Sequence, residues 1–227
     1  MRRHPRHRRV TGGQAVWSTV TAVPAPGRSG DEDRLPRAAR AGAALACLFH
    51  TLDAQGRQIT VHRADCGPLR EAARELVRLA YSGRGYRVAV DGDATDQVTL
   101  AVCEAGVVVA TATVGLDGLA GLKADLVHKA CIDGYRLQGA RVCEITGLAA
   151  ARGAAPTVMM PVLFRQLFLL TSVVHRCTDI FIEVHPRHRR FYESAFGFQC
   201  LSPMCTSPRV NAPAHLLRLS IEGPAPP

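Results

Sequence analysis

The sequence predicts an α/β (α+β) fold, a mixed central sheet with helices on both faces, on three grounds. Short β-rich runs interleave with segments of helical spacing. Hairpin signals stand at both ends of the series, whereas helices connect the strands in its middle. Apolar residues make up 47% of the 227, enough to fill one substantial core.

Residues 1–44 are expected to form a flexible basic extension, and residues 45–227 a single domain. Residues 1–40 carry nine arginines against Asp31, Glu32 and Asp33, a local charge of +6, with scattered Pro, Gly and Ser and almost no periodicity. The remainder carries only +3, so the high overall pI says little about the partners of the folded part.

Arg57–Arg63 alternates as a strand after the turn Asp53-Ala54-Gln55-Gly56. Leu69, Ala73, Leu76 and Ala80 recur at helical spacing from about Pro68 to Tyr81, and Gly83 and Gly85 end that helix. Val98–Cys103 and Val107–Val114 are β-rich runs joined by Glu104-Ala105-Gly106, a hairpin signal. Ala120–Tyr135 reads as one or two short helices and Val142–Leu148 as a strand. Thr157–Val174 is a long helix, apolar on most sides, because Val158, Val162, Arg165, Leu169 and Val173 form no clean stripe. Asp179–Val184 is a strand, Arg187–Ala195 a short helix, and Phe198–Met204 and Ala214–Ile221 are closing strands. A crevice where neighbouring strands of such a sheet diverge is a natural site for an extended ligand.

Several classes are disfavoured. Eight cysteines, with no signal-peptide-like apolar segment after the basic start, fit reduced thiols in a cytoplasmic protein. Neither Ala41–Phe49 nor Val158–Leu170 is long and apolar enough to cross a bilayer, so no transmembrane segment is expected. Zinc-finger spacing and basic–aromatic interleaving are both absent, so nucleic acid is not an expected partner. His185-Pro-Arg-His188 lacks further ligands at metal-binding spacing, since Cys200 and Cys205 do not form a close pair, and no metal is expected. No cysteine has an obvious histidine partner in sequence, which disfavours a cysteine nucleophile.

Three polar places remain. Glu144 lies inside a predicted central strand, where an unpaired carboxylate costs several kcal/mol or is driven to protonate. It is either a general base acting on an amine or a salt-bridged carboxylate at a strand end. In His185-Pro186-Arg187-His188, Pro186 opens a helix on which His188 and Tyr192 share a face. Either side chain suits proton transfer to a departing thiolate, yet Phe191, Ala195, Phe196 and Phe198 are packing residues and Tyr192 can be one more. Arg70, Arg74 and Arg78 form a basic helix rim, with Arg84 and Arg87 in the loop beyond. Glu71 and Glu75 temper it, so it is either a solvated face or a dock for the phosphate or acidic helices of a carrier protein.

Two segments, Arg141–Ala150 (RVCEITGLAA) and Glu183–Phe198 (EVHPRHRRFYESAFGF), resemble the N-acyl amino acid synthases. These belong to the GCN5-related N-acetyltransferase (GNAT) superfamily and are relatives of the acyl-homoserine-lactone synthases. The resemblance covers residues 57–222 and implies a GNAT-like sheet whose fourth and fifth strands, counted from Arg57, splay apart. By match to the family pattern, Glu144, His188 and Tyr192 are expected to be catalytic. Ile145, Thr146, Gly147, Leu148, His185 and Arg187 are expected to bind the acyl-pantetheine arm, and Arg70, Arg74, Arg78 and Arg84 to dock a carrier protein. Leu76–Val90 is similar to the family segment that helps close the acyl site, and Asp117 matches a commonly acidic position.

The implied activity is transfer of a long-chain fatty acyl group from an acyl carrier protein (ACP) or acyl-coenzyme A (acyl-CoA) thioester to the amine of an amino acid or similar small acceptor. The donor is a cosubstrate, and no bound cofactor or covalent enzyme intermediate is expected. Two departures refine the expectation. Gly147 stands where acyl-homoserine-lactone synthases carry arginine, which argues against an S-adenosylmethionine-derived acceptor. Arg152-Gly153-Ala154-Ala155-Pro156 lacks the glycine turn that gives pyrophosphate several backbone donors, and Pro156 removes one, which fits a carrier-protein donor. The alternatives are an acetyltransferase using acetyl-CoA, indifferent to carrier proteins, and a non-catalytic module that binds the acylated carrier.

Overall fold

The computed structural model describes residues 47–52, 56, 58–86, 96–154 and 156–221. The proposed extension at residues 1–44 lies outside these residues, as does Arg87. The elements run β1 (Cys47–Leu52), β2 (Gln58–Arg63), α1 (Gly67–Ser82), β3 (Gln97–Glu104), β4 (Val107–Leu116), α2 (Asp125–Leu137), β5 (Val142–Ala150) and α3 (Pro156–Leu169). A π-helical turn (Leu170–Val174), β6 (Asp179–Val184), α4 (Pro186–Phe196), β7 (Gln199–Cys200), β8 (Cys205–Ser207) and β9 (Ala212–Ser220) follow.

The strand order is β1-β2-β3-β4-β5-β6-β9-β7, with β8 paired to β9. Every pairing is antiparallel except β5 with β6, which the α3 crossover makes parallel. The β3–β4 hairpin turns on Ala105 and Gly106, both at positive φ (49° and 78°), the mirror-image turn that matches strand twist.

Alternation along the strands separates two faces. Cys143, Ile145, Ile180, Ile182 and Leu217 join Leu163, Phe164 and Leu167 of α3 and Tyr192 of α4 in one core. On the opposite face Ala101, Cys103, Val108 and Ala149 pack against Leu69, Ala73 and Leu76 of α1. Val142, Phe181 and Leu216 pack there against Ile132 of α2.

The sequence reading missed β1 and β8 and ran β7 on to Met204, whereas it ends at Cys200. Pro203 carries no N–H for a ladder, and Ser202 leaves the strand geometry so that its Oγ accepts from the Leu216 N–H at 2.9 Å. Among the described residues, no helix is long and apolar enough to cross a membrane.

Candidate active site

β5 and β6 part company at a defined residue. Their pairing runs from Val142 opposite Asp179 to Ile145 opposite Ile182 and stops, although β5 continues to Ala150. The cause lies on the other edge of β5, where Thr111 pairs with Ala149 but Thr113 pairs with Thr146. Gly147 and Leu148 therefore stand opposite Ala112 alone, and Gly147 takes φ +58°, a bulge that bends the strand away. The β6-facing edge of Thr146–Leu148 opens into the resulting gap. Ile145 is buried in the core, whereas Thr146, Gly147 and Leu148 are half-buried along the opening.

Glu144 sits at the root of this gap, 3% exposed, on the α1–α2 face. Its Oε1 accepts from the Lys123 N–H at 2.8 Å and its Oε2 from the Ala124 N–H at 3.0 Å, both just ahead of α2. Burial pushes the carboxyl above its ordinary range, and the two amides and the charge of Arg209 only partly offset that push.

The His185–Tyr192 motif comes off the end of β6 onto the other face. His185 is the N-cap of α4, its Nδ1 accepting from the Arg187 N–H at 3.3 Å, and Pro186 opens the helix. Arg187 donates from Nε to His188 Nε2 at 3.0 Å and reaches the Tyr86 hydroxyl at 3.5 Å, while Tyr86 stacks on His185 with ring centroids 6.3 Å apart. Burial, then the charges of Arg187 and Arg84, lower the His188 pKa to about 4. It is a neutral hydrogen-bond acceptor at neutral pH rather than an imidazolium. Tyr192 is buried among Phe164, Phe191, Phe196 and Phe198, and burial, with a smaller push from the Tyr81 phenol, holds its hydroxyl well above the usual range. Tyr81 belongs to α1 and Tyr192 to α4, so the two phenols influence each other from elements on opposite faces. Glu144 does not touch this motif. The gap is what joins them.

A model of the N-acyl amino acid synthase FeeM family matches residues 72–220, more than half of the chain. The chain belongs to that family. The solved structure of FeeM, an N-acyl amino acid synthase from uncultured soil microbes, superposes with a TM-score of 0.67 at 23% identity, covering 72% of this chain and 91% of that one. An acyl-CoA N-acyltransferase from Pseudomonas aeruginosa gives 0.52 at 14% identity, covering 71% and 98%, and Escherichia coli ElaA gives 0.54 at 11%, also covering 71% and 98%. At these identities the three structures establish the GNAT-like fold. Comparison with curated protein sequences returns no match.

Of the arginines that helical spacing offered for carrier docking, two are tied to carboxylates. Arg78 grips Glu75 with two hydrogen bonds of 2.6 Å, and Arg74 lies 3.4 Å from Glu71. Arg70 is half-buried on the same helix. The Arg84 guanidinium donates to the Ala80 carbonyl at 2.8 Å, and neither it nor Arg187 has a carboxylate partner among the described residues. Arg152 stands beside them, its Nη2 3.5 Å from where a Cβ on Gly83 would lie. Asp117, at the commonly acidic position, binds Arg136 at 2.7 Å, which also holds Asp125 and Asp133, and so ties the end of β4 to α2.

Sequence reasoning missed a second polar group on Glu144's face. Glu183 of β6 accepts from Ser207 Oγ at 3.3 Å and lies 3.5 Å from Arg209. His128, at a kink in α2, sits 3.7 Å from Glu183 Oε1 and 3.5 Å from Cys205 Sγ. A histidine does therefore meet a cysteine, contrary to the reading from spacing. Burial and the nearby Glu183 raise the Cys205 thiol, however, the wrong direction for a nucleophilic thiolate. The one sequence signal was Glu183 itself, a carboxylate in an otherwise apolar strand. Among the described residues, no three His, Cys, Asp or Glu side chains are placed to hold a metal ion.

Proposed function

We propose that this chain is an N-acyltransferase that moves a long-chain fatty acyl group from an acyl carrier protein thioester to the amine of an amino acid or similar small acceptor. Membership in the FeeM family supports the reaction class. The observation that carries the reading is the gap that opens at Gly147 between β5 and β6, with a buried carboxylate of raised pKa on one side and Arg152 and Arg187 just beyond the ends of the two strands.

In this reading the pantetheine arm enters between Arg84, Arg152 and Arg187, which receive its phosphate, and pairs with the open edge of Thr146–Leu148. The acceptor approaches on Glu144's face. Its ammonium gives one proton to Glu144, directly or through a water, and the freed lone pair attacks the thioester carbonyl. N–H groups of the open β5 edge hold the oxyanion. The carbon–sulfur bond then breaks as the nitrogen passes its second proton through water to the departing sulfur, so the carrier leaves as the free thiol beside Tyr192. Tyr192 keeps its proton at neutral pH and acts as a hydrogen-bond donor to the sulfur. His188, neutral and already accepting from Arg187, positions the arginine. Burial of the acyl chain contributes ~0.8 kcal/mol per methylene. Coenzyme A can present the same thioester, but no glycine turn at Arg152–Pro156 offers its pyrophosphate backbone donors.

The test is incubation of the full chain with palmitoyl carrier protein and a pool of amino acids, followed by mass spectrometry for N-acyl products. Consumption of acetyl-coenzyme A in place of any long-chain product overturns the reading.

A further inference from the structure

Arg209 and Glu183 share the face of Glu144, beside the gap, yet both are left incompletely satisfied. Glu183 is two residues beyond Phe181, the partner of Glu144, so both carboxylates point to the α2 side. Its side chain is 11% exposed, and its Oε1 is fully buried without a hydrogen bond, with His128 Nε2 3.7 Å away. Burial raises its pKa and the neighbouring Glu144 adds to the rise. Arg209 is carried by the turn between β8 and β9, between Pro208 and Asn211, the latter at φ +51°. Its side chain is 20% exposed, and its one contact with a charged group among the described residues is the 3.5 Å approach to Glu183 Oε2. That distance is too long for a charge-assisted hydrogen bond, which leaves a planar five-donor fork without one to a carboxylate among the described residues. Its charge is nevertheless felt by Glu144 as well as Glu183.

Leaving a buried carboxylate oxygen and a guanidinium both underused is costly unless a ligand completes them. The complement is a molecule bearing an anion and a cation a few bonds apart. We propose that Arg209 binds the carboxylate of a free α-amino acid acceptor and that the bare oxygen of Glu183 receives its ammonium, beside the base Glu144. This rests on the acyl-transfer reading for its function, though not for its binding chemistry. The fork of Arg209 matches a carboxylate bidentately, and the ammonium meets two carboxylates of which one suffices to take a proton. A simple amine would fill only half the site.

The test pairs each of the twenty common amino acids with the amine that its decarboxylation leaves. Binding to the acyl-free protein is followed by saturation-transfer NMR, and acyl transfer from palmitoyl carrier protein by mass spectrometry. The wild type is expected to prefer amino acids, and Arg209→Gln to reduce that preference roughly 10- to 100-fold through KM. Arg209→Lys is expected to restore part of it, and a melting curve for each variant identifies loss of fold. Arg209→Lys and Glu183→Gln keep the test open if Arg209→Gln fails to fold, since Glu183→Gln should weaken amino acids and amines alike. Equal binding of amino acids and amines by the wild type, or an equal loss of both in Arg209→Gln, overturns the proposal. Because binding is read without donor, absence of acyl transfer refutes the reaction and leaves this site to be judged on its own signal.

Discussion

Gly115 lies directly opposite Glu144 in the β4–β5 pairing, and the carboxylate occupies the space that a side chain at 115 would fill. A Cβ built there would stand 3.0 Å from Glu144 Cγ and 3.2 Å from Oε1. Gly115→Ala is thus expected to push Glu144 off the Lys123 and Ala124 amides, at about 1–3 kcal/mol of stability. If Glu144 is the base, turnover should fall at least tenfold, roughly the fall for Glu144→Gln. Steady-state rates for both variants, beside their melting curves, check this. A Gly115→Ala enzyme with full turnover would separate the position of the carboxylate from the chemistry.

Glu144 also predicts a pH dependence. Its folded-state pKa is raised by burial, so between the ordinary carboxylate value and the raised one the folded state holds a proton that the unfolded state has lost. Stability contributed by the protonated group is therefore present at low pH and declines as pH rises through that window. Activity should run the other way, because the base must be ionised. A plot of kcat/KM against pH should show an acidic limb lying above the ordinary carboxylate range and missing in Glu144→Gln. Glu183 raises its own value in response to Glu144, so the limb belongs to the pair and should shift in Glu183→Gln.

Gly147 controls the gap itself. Space is not the obstacle to a side chain, since a Cβ would lie 3.5 Å from Thr113 Oγ1, an ordinary contact. The backbone is, because φ is +58° and an L-residue there costs roughly 1–2 kcal/mol. Gly147→Val should lower thermal stability by about that amount. It should also lower acyl transfer out of proportion if relief of the strain lets β5 run on beside β6. Gly147→Asn, which tolerates this φ, should retain more of both. Equal behaviour of the two variants would dissociate the bulge from catalysis.

These relationships mark where sequence reasoning reached its limit. The strand Asp179–Val184 and the helix beginning at Pro186 were legible because an apolar run ending at His-Pro has few other readings. The hairpin at Ala105-Gly106 was legible in the same way, and Glu144 stood out as a charge in an apolar strand. The glycine bulge was not visible, because whether Gly147 continues a strand or breaks its register depends on the pairing partner. Arg209, His128 and Cys205 stayed hidden for a related reason. They come from a turn, a helix kink and an edge strand; pairing of β9 with β6 and with β8 brings Arg209 and Cys205 to Glu183, and α2 brings His128. The arginine rim of α1 was legible as charge but not as pairing, and Glu71 and Glu75 decide which of its members remain available.

Arg78 is held by Glu75 and Arg74 lies near Glu71, so a docking partner would first have to break these contacts. Arg84 and Arg187 meet no carboxylate among the described residues, and Arg152 and Arg187 follow the ends of β5 and β6, where the gap opens. An acidic carrier protein bearing a phosphate should therefore engage the second group. Arg84→Ala with Arg187→Ala is expected to raise KM for palmitoyl carrier protein about tenfold or more and to flatten its dependence on salt, since exposed charge pairs are screened. Arg78→Ala should change KM by less than about twofold, as expected of an exposed, self-contained ion pair. Measuring KM from low to physiological ionic strength for the three proteins distinguishes the surfaces. A large effect confined to Arg78→Ala would move the dock back onto the helix rim, away from the mouth of the gap.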